Sequence, residues 1–428
     1  MKKVLIITYY WPPAGGPGVQ RWLKFAKYLR DFDVEPIIYT PENPSYPLTD
    51  ESLEAEIPKS LKVLKHKILE PYTAARIFSK KDTQTISSGI IVKEEKQSFL
   101  QKLMLYIRGN FFIPDARKFW VKPSVKYLDK VLDEQQISSI ITTGPPHSLH
   151  LIGLQLKQKK DITWIADFRD PWTNIGYHNK LRLSKSSQKK HAILEKEVLN
   201  TADHVLVTSF TTKKEFEAKT PKPVSVITNG FDTEIASENP SLDKKFTFSH
   251  IGSLLSGRNP LNLWKAFGEL VRENKGFAED FELRLVGAVS GEVLTFIKAE
   301  GLEKHLKLQQ YVPHEEAIRI QRCSQVLLLI EINSEETRGI IPGKVFEYMA
   351  AKRPILALGP ENWDVYKILE NTAAGQFFEY SEKEKIKRHL VDLYSAYKNN
   401  RLQAESLKID HYHRKHLTAK LANLLKEI

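Results

Sequence analysis

GIIPGKVFEYMAAKRPILALG, residues 339–359, holds one helix-to-strand step of an α/β fold. Pro342-Gly343 breaks the chain, a helix is predicted over Lys344 to Ala351, and Pro354 to Leu358 reads as a buried strand. Near the start of that helix Gly343 and Lys344 can meet a phosphate, and Glu347, one turn on, can accept two ribose hydroxyls with its two oxygens. An acid in the first turn is also what any helix prefers, so Glu347 alone leaves both readings open.

Outward from this step the alternation repeats. In the second half, strands are predicted at Phe246 to Ile251, Glu282 to Val286, Lys307 to Gln309 and Val326 to Glu331. In the first half, Val4 to Thr8 is a short β-branched run followed by a Pro/Gly-rich turn. From Val19, the residues Trp22, Leu23, Ala26 and Leu29 recur at helical spacing, and Glu35 to Tyr39 closes a βαβ unit. Further strands are expected at Ser139 to Thr142, Thr163 to Ala166 and His204 to Thr208. The stretch 44–122 breaks the pattern and reads as an insertion, with charges at Lys93 to Lys96 and an amphipathic run at Phe99 to Phe112. Asp232 to Lys245, rich in turn formers, is the expected linker.

A chain of 428 residues is too long for one ordinary core and fits two domains of roughly 200 residues each. Its 41% hydrophobic and 27% charged residues are those of a globular protein, and no stretch approaches the ~20 apolar residues of a bilayer span. The apolar run after Met1 is too short for a secretory signal, so a cytoplasmic protein is expected. The single cysteine, Cys323, excludes a disulfide framework and reads as a packed thiol. A net charge of +12, from 64 basic and 52 acidic residues, implies an anionic partner: a nucleotide, nucleic acid or an anionic lipid surface. Without a paired Cys/His finger or an aromatic RNP pattern, nucleic acid is the weakest of the three.

Four more segments place chemistry at predicted strand ends. In PPAGGPG, Pro12 to Gly18, the residues Gly15, Gly16 and Gly18 let backbone amides approach a phosphate at a helix start. The dinucleotide fingerprint is incomplete there, since Arg21 stands at its third glycine, and a plain tight turn is the competing reading. TTGPPH, Thr142 to His147, presents His147 near a helix N-terminus, where it orients a hydroxyl or phosphate or simply caps the helix. In ADFRDPW, Ala166 to Trp172, two carboxylates and a guanidinium crowd one strand end. Asp167 or Asp170 can bind sugar hydroxyls while Arg169 holds an anion, or Arg169 and Asp170 form a structural clamp. SHIGSLLSGRNP, Ser249 to Pro260, brings Arg258 to the start of a helix beside Gly252 and Gly257, a diphosphate clamp or a solvated arginine.

Taken in order, PPAGGPGVQR, TTGPPHS, ADFRDPW, VITNGFD (226–232), the 252–258 loop and PGKVFEYMAAKRPILALG resemble the GT-B glycosyltransferases of family 4, retaining enzymes with bacterial members that build surface polysaccharides. The resemblance implies two Rossmann-like, doubly wound domains facing across a cleft. An N-terminal acceptor domain would cover 1–235, a C-terminal nucleotide-sugar domain 236–410, and a last helix within 411–428 would return to the first domain. It implies transfer of a sugar from a UDP- or GDP-linked donor to a glycan or lipid-linked glycan, with no metal or other cofactor. Donor contacts would come from Gly15, Gly16, Gly252, Arg258, Pro342, Gly343, Lys344 and Glu347. His147, Asp167, Arg169 and Asp170 would bind acceptor and sugar, and His147, Asp167, Arg258 and Lys344 would carry catalysis.

The sequence departs from the family pattern twice. Gly339 stands where the first of two glutamates belongs, with Glu335 or Glu336 as substitutes, and Ser253 follows Gly252 where an arginine is usual. Two other functions stay open: a sugar-nucleotide epimerase or hydrolase on this fold, and a catalytically silent nucleotide-sugar-binding protein. The run Phe99 to Phe112, with Lys102 and Arg108, allows peripheral attachment to the inner membrane face or a helix packed on the first domain.

Overall fold

The computed structural model describes residues 1–70, 99–174, 181–232 and 241–428. The charged stretch Lys93 to Lys96 and most of the expected linker, 233–240, lie outside them. The chain forms two compact units: Met1–Thr228 with Arg414–Ile428, and Asn229–His413.

The first unit is built on seven strands: β1 (Lys2–Ile7), β2 (Val34–Pro41), β3 (Lys62–His66), β4 (Ser139–Gly144), β5 (Thr163–Phe168), β6 (His204–Val207) and β7 (Val224–Val226). All pair in parallel, in the order β3-β2-β1-β4-β5-β6-β7. Parallel strands need crossovers, and helices on both faces supply them, so strand residues are buried on both sides. In β1, Val4 and Ile6 face one core with Trp22, Phe25 and Ile141. Leu5 and Ile7 face the other core with Trp120, Val125 and Ile140. The terminal helix Arg414–Glu427 belongs to this unit. It places Leu417, Leu421 and Leu425 in the core with Trp22, and Lys415 pairs with Asp31 at 2.7 Å.

The second unit has six parallel strands: β8 (Phe246–Ile251), β9 (Phe281–Val286), β10 (Leu306–Gln309), β11 (Val326–Ile330), β12 (Ile355–Gly359) and β13 (Gly375–Glu379), in the order β10-β9-β8-β11-β12-β13. Its core gathers Phe248, Phe267, Leu283, Val326 and Leu356. In both sheets the chain starts at a central strand, builds outward on one side and returns to the other. The order therefore reverses beside β1 and beside β8, and a crevice opens at the carboxyl ends of the strands flanking that point.

Three strands were not foreseen, and each lies at a sheet edge: β3, β7 and β13. β3 adds a paired strand inside the stretch read as an insertion. Edge strands are half-exposed, so KVLKH, VSV and GQFFE lack the continuous apolar run that marks an inner parallel strand. The amphipathic run forms the helix Phe99–Phe111. Leu105 is buried, while Leu103, Tyr106, Ile107 and Phe111 are between 40% and 64% exposed. Among the described residues no helix is long and apolar enough to cross a membrane.

Candidate functional site

In the second unit the loops at the carboxyl ends of β8 and β11 meet the start of the helix Gly343–Ala350. Gly252 follows β8 directly, and its φ of +122° is a conformation that suits glycine. Its N–H donates to the Val286 carbonyl at 2.7 Å. A Cβ added there would stand 2.2 Å from the Lys344 Nζ, so the lysine tip lies directly against the glycine backbone. Lys344 is the second residue of its helix, whose first turn holds no acid and whose Pro342 cap makes no side-chain bond. The space over Gly343 is open. The unbonded N–H groups of that turn and the Lys344 ammonium therefore present positive charge together.

Lys344 has no hydrogen-bond or ion-pair partner among the described residues. Burial pushes its amine down to about 8, helped by the Arg258 charge and opposed by Glu331 and Glu347. Arg258 lies on the loop after β8 and donates from Nε and Nη2 to one oxygen of Glu331, at 3.1 and 2.9 Å. Glu347 accepts from the buried Gln321 Nε2 at 3.0 Å through Oε2. Below them, His250 is fully buried with Nδ1 3.0 Å from the Leu328 carbonyl. Burial, then Lys344, hold its pKa at about 3, so the imidazole is neutral. In the sequence Glu331 reads only as the end of a strand, and Gln321 carries no signal. The acid directly after the apolar strand VLLLI was the available signal, whereas Gln321 comes from a distant helix and gave none.

Gly339 lies two residues beyond the short turn Glu335–Thr337, and the two substitutes proposed for its missing acid are exposed, with Glu335 paired to Arg338 at 2.9 Å.

In the first unit, Gly16 caps the helix Pro17–Tyr28 at φ +102°, again with no acid in the first turn and with open space over it. Gly15 is held by its N–H to the Leu48 carbonyl, 3.0 Å. Arg169 reaches this helix start: a Cβ on Gly18 would fall 1.6 Å from its Nη1. Its Nη2 donates to the Pro145 carbonyl and its backbone N–H to Gly144, which ties the ends of β4 and β5 together. Burial lowers the Arg169 pKa against the pull of Asp170 and Asp167. Burial raises that of Asp170, against Arg169. No ion pair within 4 Å joins Arg169 to Asp170, so the structural clamp considered for them is not formed. His147 is buried and stacked on Trp172, ring centroids 5.0 Å apart and planes 5° apart, and Trp172 donates to His191 Nδ1 at 3.0 Å.

Asp167 requires a correction. It was expected at a substrate surface, yet it is fully buried. Oδ1 accepts from Arg21 Nη2 at 2.9 Å, and Oδ2 accepts from Trp22 Nε1 at 3.0 Å and Thr143 Oγ1 at 2.8 Å. The carboxylate is saturated by the protein and anchors the helix Pro17–Tyr28 to the sheet. Arg21 explains its own place in the broken glycine fingerprint, since it supplies the counter-charge and also holds the Thr228 carbonyl at 2.9 Å.

Residues 90–235 match the profile of Glycosyltransferase Family 4. No curated protein matches the chain in sequence. In three dimensions it is similar to Anabaena Alr3699/HepE in complex with UDP, at 13% identity and a TM-score of 0.60 with 100% of both chains covered. It is similar to the lipopolysaccharide outer core galactosyltransferase WaaB, at 14% and 0.57 with 100% of both chains covered. It is also similar to a Listeria monocytogenes protein described as a UDP-N-acetylglucosamine 2-epimerase, at 11% and 0.55, covering 100% of this chain and 96% of that one. At these identities the likeness is one of fold: the chain has the two-domain Rossmann-like GT-B architecture, and its resemblance to family 4 holds over the matched residues.

Proposed function

We propose that this chain is a glycosyltransferase that moves a sugar from a UDP- or GDP-linked donor to a glycan or lipid-linked glycan, with retention, in the synthesis of cell-surface polysaccharide. The observation that carries the reading is Lys344: a half-buried, unpaired cation at an open helix start, set against Gly252 and beside Arg258. Such a cation costs free energy until an anion of matching size arrives. A nucleoside diphosphate supplies two phosphates for Lys344, Arg258 and the N–H groups after Pro342. Glu347, with one oxygen held by Gln321, offers the other to the ribose hydroxyls. Two of the similar folds support this choice, one described with UDP bound and one as a lipopolysaccharide sugar transferase.

In this reading the acceptor hydroxyl attacks the anomeric carbon on the face the diphosphate leaves, and its proton passes to the departing phosphate oxygen. Lys344 and Arg258 stabilise the charge that develops there, the term that lowers the barrier rather than merely binding the ground state. These groups supply the positive charge, so no metal enters the proposal. Gly15, Gly16, Arg169, Asp170 and His147 are assigned to the acceptor and the transferred sugar. The exposed apolar face of the helix Phe99–Phe111 is assigned to an anionic membrane surface, where a lipid-linked acceptor resides.

Transfer from radiolabelled UDP- and GDP-sugars to a glycan acceptor panel tests the reading. A glycosylated product is expected, and donor binding with no transfer to any acceptor would overturn it in favour of a silent binding protein. The likeness to an epimerase-described structure gives the second reading its one support. Conversion of the nucleotide sugar with no acceptor present would favour that reading instead.

A further inference from the structure

We propose that Glu331 is a positioning residue for the diphosphate site: it grips Arg258 along one edge of the guanidinium so that the other edge is presented to the donor's phosphates. The inference rests on the functional reading above and deepens it.

The geometry is specific. Glu331 follows β11 directly and its side chain is 3% exposed. Three bonds fix it: its N–H to the Leu358 carbonyl at 2.9 Å, its carbonyl from the Tyr380 hydroxyl at 2.7 Å, and its Oε1 from the N–H of Ile332 at 2.8 Å. The same Oε1 takes Nε and Nη2 of Arg258. Those two nitrogens form the side edge of the planar guanidinium, and the end edge, Nη1 with the second hydrogen of Nη2, stays available for a second anion. A solvated arginine would lose rotamer freedom on binding a donor; one already gripped by a buried acid loses less.

Glu331 also balances charge. The groups that face Lys344 are Arg258 from the loop after β8, Glu331 from the end of β11, Glu347 from its own helix and neutral His250 from β8. Without the Glu331 charge, the Arg258 repulsion of Lys344 is opposed by Glu347 alone. The lysine then gives up its proton more readily, and the site loses one of its two cations near neutral pH.

Glu331→Gln keeps an oxygen for Arg258 and removes only the charge. The first readout needs no turnover: amine-reactive labelling of Lys344 against pH, followed by mass spectrometry, in the ligand-free protein. The midpoint in Glu331→Gln is expected to lie at lower pH than in wild type, where burial already pushes the amine down. An unmoved midpoint would overturn the proposal. The second readout is a double-mutant cycle in the transfer assay. Glu331→Gln should lower kcat roughly tenfold, the worth of one charge-assisted hydrogen bond, with a smaller effect on donor KM. In an Arg258→Ala background it should cost less than about twofold. Losses that multiply would assign Glu331 a structural role independent of Arg258 and overturn the proposal. If wild type shows no transfer while the labelling midpoint still moves, the functional reading fails and only the charge coupling of Glu331 to Lys344 is retained.

Discussion

The Lys344 ammonium rests on the backbone of Gly252, where a Cβ would stand 2.2 Å from Nζ. The glycine is required twice, once for its φ of +122° and once for the room it leaves the lysine. Gly252→Ala should push the Lys344 tip out of the site, because the flexible side chain moves more easily than the strand end. Nucleoside diphosphate affinity should fall about tenfold or more, the loss of one charge-assisted contact. Thermal melting should fall as well, because alanine at φ +122° is strained by about 1–3 kcal/mol. Calorimetric titration of the variant checks this; unchanged affinity would separate Gly252 from the donor site.

The depressed Lys344 amine gives binding and stability opposite pH trends. Its folded pKa of about 8 lies below its ordinary value of 10.5, so the unfolded chain holds more protons between those two pH values. The cost of burying the charged form is fully present below pH 8 and is relieved as pH rises from about 8 to 10.5. This group therefore makes the ligand-free protein more stable across that window. Donor affinity should fall over the same window as the cation is lost. Urea unfolding and UDP titration at pH 7, 8, 9 and 10, compared with Lys344→Met, check both signs.

Asp167 and Arg21 form an ion pair whose side chains are 0% and 1% exposed. In Asp167→Asn the new amide nitrogen must face one of the donors on Arg21, Trp22 or Thr143, and the guanidinium keeps its charge without a counter-ion. A loss of about 3–5 kcal/mol is expected for breaking one side of a buried pair. Denaturant unfolding measures it. A loss under about 1 kcal/mol would mean that the carboxylate does not anchor this helix.

Leu103, Tyr106, Ile107 and Phe111 expose apolar surface on the helix Phe99–Phe111, and Lys118 lies over the rings of Phe112 and Phe119 at 5.5 and 5.2 Å. Cosedimentation with vesicles containing anionic lipid should fall in Ile107→Glu and Phe111→Glu without a change in melting temperature. Equal binding by wild type and both variants would remove this face from membrane attachment.

The inner strands were legible in the sequence because a strand buried on both faces is mostly apolar, as VLLLI is throughout. The edge strands β3, β7 and β13 were not, since half-exposure erases that signature. The loops that bring Gly252, Arg258 and Lys344 together were legible, since glycine, a cation and a helix start coincide there in a few residues. Asp167 misled because ADFRDPW places it one position beyond the strand expected to end at Ala166. The strand in fact continues to Phe168, and that extra pair turns the carboxylate inward to Arg21. Glu331 and Gln321 act through residues far away in sequence, and only the folded sheet brings them to Arg258 and Glu347.

The measurement closest to the central claim is a titration of the wild-type protein and Lys344→Ala with UDP and with GDP at pH 7. The account predicts saturable binding of one of them by wild type and a loss of roughly tenfold or more in the variant. Binding of neither nucleotide by wild type, or equal binding by both proteins, would contradict it.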